Sequence, residues 1–229
     1  MFITFEGIEG SGKSTQAEHL EANLRQRGLD PLLSREPGGS PLGRELRRIL
    51  LNSGSTDLTD ETELFLYLAD RAQHVARILS PALQQGRIVI VDRYIDSTLA
   101  YQGCGRGVHP EAIPELNRIA TRGVYPDLTF VLDVEAQTGL ERARKRNAAN
   151  GYQEAEGRFE AEALAFHQRV RQEYARLTDA EPQRMRLLDG SDAVDRLQAR
   201  ILEEVEAVLH CAGPFAQTAY PMVEACLDA

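Results

Sequence analysis

Gly7-Ile8-Glu9-Gly10-Ser11-Gly12-Lys13-Ser14 has the spacing G-x-x-x-x-G-K-[ST]. It lies between an apolar run, Phe2 to Phe5, and a helical pattern over residues 13–27 with Ala17, Leu20 and Leu24 on one face. A strand feeding a glycine-rich turn that opens a helix is a phosphate cradle. The glycines let successive backbone N–H groups of residues 10–15, Thr15 included, converge on phosphate oxygens, and the positive end of the helix adds to the field. Lys13 can reach the β- and γ-phosphates of a nucleoside triphosphate, and the Ser14 hydroxyl suits Mg²⁺. Outward from this stretch, short apolar runs alternate with helical patterns to the end of the chain.

Ile88 to Val91 is apolar at every position, as a strand covered on both faces should be, and Leu128 to Val134 reads the same way. Pro31 to Ser34 and Arg186 to Leu188 are weaker strands. Helices are expected near 42–50, 95–102, 111–122, 136–146 and 159–178, with a last one through Val194, Leu197, Ile201 and Val205. Asp60 and Glu63 have capping-box spacing and open a long helix that Gly86 stops. This alternation predicts an α/β fold with a mainly parallel sheet. Residues 147–157 break the helical pattern and are expected to be mobile, and residues 213–229 form an appended tail to a single domain spanning 1–212.

A net charge of −9 argues against a nucleic-acid surface but not against anionic small substrates, whose phosphates answer to local arginines within a screening length of roughly 8 Å. No apolar run reaches the roughly 18 residues a membrane span needs, and the N-terminus lacks a signal-peptide layout. Cys104, Cys211 and Cys226 show no pairing pattern, and a reducing cytoplasm is expected. Asp92 ends the apolar strand where a second magnesium-side carboxylate belongs. Arg93 follows it at the carboxyl edge of the sheet, facing the same crevice.

Phe5 to Thr15, Arg35-Glu36-Pro37-Gly38-Gly39, Ala69-Asp70-Arg71-Ala72-Gln73-His74, Asp92-Arg93-Tyr94, Tyr101-Gln102-Gly103 and Pro126 to Thr129 together resemble bacterial thymidylate kinases, in order and spacing, over roughly residues 1–210. The resemblance implies the three-layer P-loop fold of that family: a five-stranded parallel sheet flanked by helices, with a lid here near 143–158. It implies transfer of phosphate from Mg-ATP to dTMP, on the way to dTTP, by an enzyme that forms homodimers. Arg35 and Arg93 resemble the arginines that hold the acceptor phosphate, which a guanidinium can grip in bidentate fashion.

By the same resemblance Arg71 binds thymine and Tyr67, where many relatives have phenylalanine, stacks on it. Tyr101 crowds the sugar 2′ position, Ser97 and Gln102 contact base or phosphate, and Glu9 lies near the acceptor sugar and magnesium. For Arg71, Tyr67 and Tyr101 the alternative is plain packing or a solvated face. The loop holds no arginine, so the resemblance is to the type whose lid supplies one. Arg158 is expected to stabilise the transition state, with Arg144 and Arg146 as alternates. Rival readings are a kinase for another nucleotide or deoxynucleoside, and a P-loop regulatory ATPase.

Overall fold

A computed structural model describes residues 1–55 and 57–211. Its centre is one sheet of five parallel strands: β1 (Phe2–Glu6), β2 (Leu32–Arg35), β3 (Val89–Asp92), β4 (Leu128–Asp133) and β5 (Met185–Asp189), ordered β2-β3-β1-β4-β5. This is the α/β architecture expected from the alternation of runs. Every residue of β1 is buried, since its neighbours β3 and β4 flank it and helices cover both faces.

The period-two alternation of side chains divides β1 between two cores. Ile3 and Phe5 join Leu20 and Leu24 of α1 (Lys13–Gln26) and Leu197, Ile201 and Val205 of α10 (Val194–Cys211). Phe2 points the other way, against Val75, Leu79, Val89 and Tyr94. Each such apolar side chain, fully buried, contributes roughly 1.5–3 kcal/mol. Thr4 shares the Phe2 side and bonds Thr129 across the sheet at 2.7 Å; Glu6 is the third residue of that face and points toward the carboxyl edge.

The remaining helices lie in the connections between the strands. They are α2 (Pro41–Leu51), α3 (Asp60–His74), α4 (Ser80–Gln84), α5 (Ile95–Thr98), α6 (Ile113–Thr121), α7 (Ala136–Asn150), α8 (Gln153–Glu156) and α9 (Leu164–Ala180). The long helix expected from residue 60 is broken by a π-helical stretch, Val75–Leu79. The α register restarts at Ser80, with Pro81 in the first turn, where its missing N–H is not needed. The helix expected over 95–102 likewise becomes a π-helical stretch at Leu99–Gly105.

Three expectations change. Thr59, not Asp60, caps α3, its hydroxyl accepting from the Thr62 amide at 3.2 Å; Glu63 is turned into the protein and fully buried. Residues 147–157 hold more helix than their composition suggests: α7 runs on to Asn150, Gly151 ends it at φ 69°, and α8 follows. The helix expected over 159–178 is split, because Glu162 and Ala163 are extended between a 3₁₀ turn, Phe159–Ala161, and α9. The predicted tail, 213–229, lies outside the described residues.

Candidate active site

The loop after β1, the carboxyl ends of β2 and β3, and the segments around α8 enclose a cavity of about 400 Å³. Its floor is the phosphate cradle. Gly10 takes φ 70°, and a Cβ placed there would stand 2.1 Å from the carbonyl oxygen of Gly139 on α7, so the loop lies flat on that helix. Lys13 is buried, and its ammonium donates to the Ile8 carbonyl at 2.7 Å and to Ser11 Oγ at 3.3 Å. Burial, with the Arg93 guanidinium adding to it, pushes Lys13 down to about 7 against the pull of Asp92, Glu9 and Glu6. A ligand phosphate would outbid the Ile8 carbonyl for that ammonium.

At the cavity mouth Ser14 Oγ donates to Asp92 Oδ2 at 2.5 Å, while Asp92 Oδ1 is buried with no hydrogen-bond partner among the described residues. A hydroxyl and a half-idle carboxylate are hard oxygen donors, the chemistry that Mg²⁺ takes. Arg35 and Asp92 are register partners at the ends of β2 and β3, which puts them side by side on the rim.

Arg93 stands at φ 71°, a conformation sparsely used by any residue with a side chain. Its guanidinium donates to the Gly7 carbonyl at 3.0 Å and Glu9 Oε1 at 3.0 Å, and lies 4.9 Å from the centre of the Tyr101 ring. Tyr101 also donates to Glu9 Oε1, at 2.7 Å. Burial alone would raise the Glu9 carboxyl, but His167, Arg93 and Lys13 outweigh it and hold the group well below the usual carboxylate range. Burial opposes charge on Arg93 as well, yet the neighbouring Tyr101 and Glu9 drive it further above its usual value.

Arg71 is buried, and four of its five N–H groups are used: on Glu36 Oε2 (2.9 Å), Thr98 Oγ1 (2.8 Å), Asn117 Oδ1 (2.7 Å) and the Tyr94 carbonyl (2.8 Å). The guanidinium is thereby fixed with one edge on the cavity wall. Glu36 also takes His74 Nδ1 at 2.9 Å and so serves as the buried counter-charge of this corner. Tyr67, Ser97, Tyr101 and Gln102 all line the same cavity. Burial and Glu63 raise the Tyr67 hydroxyl, which stays neutral.

The basic residues around α8 divide. Arg146 lines the cavity with its side chain 52% exposed, loosely held by Asn147 and Glu160. Arg144 donates to the Glu160 carbonyl at 2.7 Å and is off the cavity wall. Arg158 is also off the wall, in an ion pair with buried Glu63 at 2.7 Å. Glu63 further accepts from Gln102 at 2.7 Å and pairs with Arg106 at 3.2 Å.

Four participants escaped the sequence reading. Arg47 of α2 grips Glu156 of α8 in bidentate fashion, at 2.9 and 3.1 Å, across the cavity. Glu6 accepts from the Tyr94 amide, Ser97 and Tyr174, and thereby sets the groups behind Arg93. Glu63 has a cap's spacing, and His167 sits in a helix without a metal-ligand pattern. For none of the four does the sequence name the partner, which is distant in the chain.

Comparison with known proteins follows the same line. The sequence model of the family described as "Thymidylate kinase" matches residues 5–201. The chain is 50% identical to the thymidylate kinase of Desulfovibrio desulfuricans over 93% of its own length and 98% of the relative's. It is 53% identical to that of Nitratidesulfovibrio vulgaris, over 91% and 93%. The crystal structure of thymidylate kinase from Ehrlichia chaffeensis superposes with a TM-score of 0.71 at 33% identity, covering 90% of this chain and 98% of that one.

Proposed function

This chain belongs to the thymidylate kinase family, and from that premise we propose how its cavity carries out the reaction. The enzyme phosphorylates dTMP to dTDP with ATP as donor. One observation supports the division of labour: a phosphate cradle with Lys13 faces, across one cavity, three arginines from other elements, Arg35, Arg71 and Arg93.

In this reading the amides of residues 10–15 and Lys13 hold the ATP phosphates. Arg35 and Arg93 hold the acceptor phosphate, and Arg71 presents its remaining N–H to a carbonyl of the base, over which Tyr67 stacks. Glu9 and Tyr101 bound the sugar. Ser14 and Asp92 would hold Mg²⁺, which when bound neutralises charge on the ATP phosphates. The acceptor phosphate is already an anion, so no general base is required. Catalysis is then in-line positioning, charge neutralisation and exclusion of water.

Among the basic residues of the lid, Arg146 is the one whose placement on the cavity wall suits transition-state charge. We take residues 1–212 as one domain, with 143–158 its lid, latched to α2 by Arg47 and Glu156. Homodimer formation is supported by the large apolar side chains that α2, α3 and α6 leave exposed: Leu42, Ile49, Phe65 and Ile119. No helix among the described residues is long and apolar enough to cross a membrane, and we place the enzyme in the cytoplasm, beside its nucleotides.

A steady-state assay of dTMP, dUMP, UMP and dCMP with Mg-ATP tests this. The highest kcat/KM is expected for dTMP, with dUMP slower by roughly 10- to 200-fold, the value of one methyl group in a pocket. A nucleoside used better than any monophosphate, or ATP consumption independent of acceptor, overturns it.

A further inference from the structure

Arg93 keeps its positive φ because one buried carboxyl group grips it from both ends. Glu6, fully buried at the end of β1, accepts on Oε1 from the Tyr94 amide at 2.7 Å, the peptide link that directly follows Arg93. On Oε2 it accepts from Ser97 Oγ at 2.6 Å and from the Tyr174 hydroxyl at 2.8 Å. Those two hydroxyl oxygens are 2.9 Å apart, and both stand against Arg93 Nη1, at 3.3 and 3.5 Å. Nη1 also donates to the Gly7 carbonyl at 3.0 Å, so its two hydrogens are spent on the protein. The opposite edge, Nε and Nη2, is left to meet an anion. Nε makes no hydrogen bond among the described residues.

Tyr174 is the member of this anchor whose polar atom the packing does not need. It is buried on α9 among Val131, Phe159, Phe166 and Val170, where a phenylalanine would fill the same space. A hydroxyl there brings a buried polar atom that must be satisfied. Its three partners are Glu6, Ser97 and Arg93 itself, so the whole expense of burying it falls on the arginine. Burial, with Glu6 adding to it, holds the hydroxyl well above its ordinary value, and it stays a donor.

We infer that Tyr174 is a positioning residue for the acceptor site: with Glu6 and Ser97 it fixes the Arg93 guanidinium by Nη1, so that the Nε and Nη2 edge meets the acceptor phosphate. A long side chain left free would give up rotamer entropy each time an anion bound, and the anchor removes that cost in advance. It draws on three elements, β1, α5 and α9, and α9 is the helix that follows the lid. The inference rests on the assignment of Arg93 to the acceptor phosphate, although the anchoring can be measured without substrate.

Tyr174→Phe keeps the ring and deletes the hydroxyl. Measured by calorimetry on the full chain, it should weaken dTMP binding roughly tenfold, the worth of one hydrogen bond, and leave ATP binding within about twofold. A double-mutant cycle separates positioning from packing. With Arg93→Lys as background, the same substitution should change the Kd for dTMP by less than about twofold, because the fork it steadies is gone. A Tyr174→Phe variant that binds dTMP as wild type does, equal losses for both nucleotides, or a full effect in the Arg93→Lys background overturns the proposal. Should Tyr174→Phe not fold, Ser97→Ala removes the other hydroxyl at Nη1 and runs the same cycle with the same outcomes. In ¹⁵N-arginine NMR without substrate, the Arg93 signals are identified by their loss in Arg93→Lys. Rotation about the Cζ–Nη1 bond should be slow in wild type and faster in the hydroxyl-deletion variant; equal rates also overturn the proposal. If wild type fails to phosphorylate dTMP, the functional reading falls, and the NMR still decides the anchoring.

Discussion

Arg158 Nη1 sits 2.7 Å from Glu63 Oε2, and the carboxylate is wholly closed to water. The same arginine donates to the Leu50 carbonyl at 3.2 Å, and its backbone amide donates to the Leu51 carbonyl at 3.2 Å. The end of the lid is thus pinned to the end of α2 and the first turns of α3. Arg158→Ala leaves a buried carboxylate short of one partner, although Arg106 remains. A loss of roughly 3 kcal/mol in urea unfolding is expected, with kcat of the folded variant within about tenfold of wild type. A fall in kcat of roughly 10³ at unchanged stability would instead give Arg158 the transition-state role.

Arg146 should show the opposite pattern. Its side chain is half exposed on the cavity wall and its partners, Asn147 and Glu160, hold it at 3.1 to 3.5 Å. Arg146→Ala is expected to lower kcat by roughly 10³, as loss of a transition-state arginine does. Stability should stay within about 0.5 kcal/mol, as for a surface change. Single-turnover kinetics with saturating dTMP separate this from weaker ATP binding; an effect confined to KM for ATP would move the role to another group.

The comparison of Arg146 with Arg158 shows what the sequence can and cannot carry. The phosphate loop was legible because its chemistry is local: glycines, Lys13 and Ser14 act within one turn. The strands were legible because parallel strands covered on both faces read as unbroken apolar runs, as Ile88 to Val91 does. Which lid arginine faces the cavity depends on Glu63, 95 residues earlier in the chain than Arg158, and Glu63 carries the pattern of a helix cap. Residues 147–157 misled for a related reason. Their Asn and Gly content signals a loop, yet Asn147 is buried and tied to Glu160 at 3.0 Å, which lets α7 continue.

Gly139 offers a test of the loop's seating on α7. A Cβ there would stand 2.6 Å from the Glu9 carbonyl oxygen, a backbone atom that cannot swing aside. Gly139→Ala must therefore lift the phosphate loop or displace the helix. Overpacking of this kind costs roughly 1–3 kcal/mol. Because the displaced strand of backbone is the one that cradles phosphate, KM for ATP should rise more than KM for dTMP. Equal effects on both substrates would mean that the helix yields and the loop stays.

Glu6 links the site to pH. Burial, with Asp96 adding to it, raises its carboxyl from an ordinary 4.5 to about 7, despite bonds from Ser97 and the Tyr94 amide. The folded state therefore keeps a proton that the unfolded chain gives up. Below about pH 4.5 both states hold it and there is no penalty; as pH rises toward 7 the unfolded state ionises alone, and stability falls. Above 7 the full cost is present. Glu6→Gln keeps an acceptor for the Tyr94 amide and removes the titration. Relative to wild type it should gain roughly 3 kcal/mol between pH 4.5 and pH 8. Denaturant unfolding at four or five pH values reads this directly. A difference between the two proteins that is flat across that range would mean Glu6 ionises as readily folded as unfolded, and that the Ser97 and Tyr174 hydroxyls, together with Arg93, compensate its charge in full.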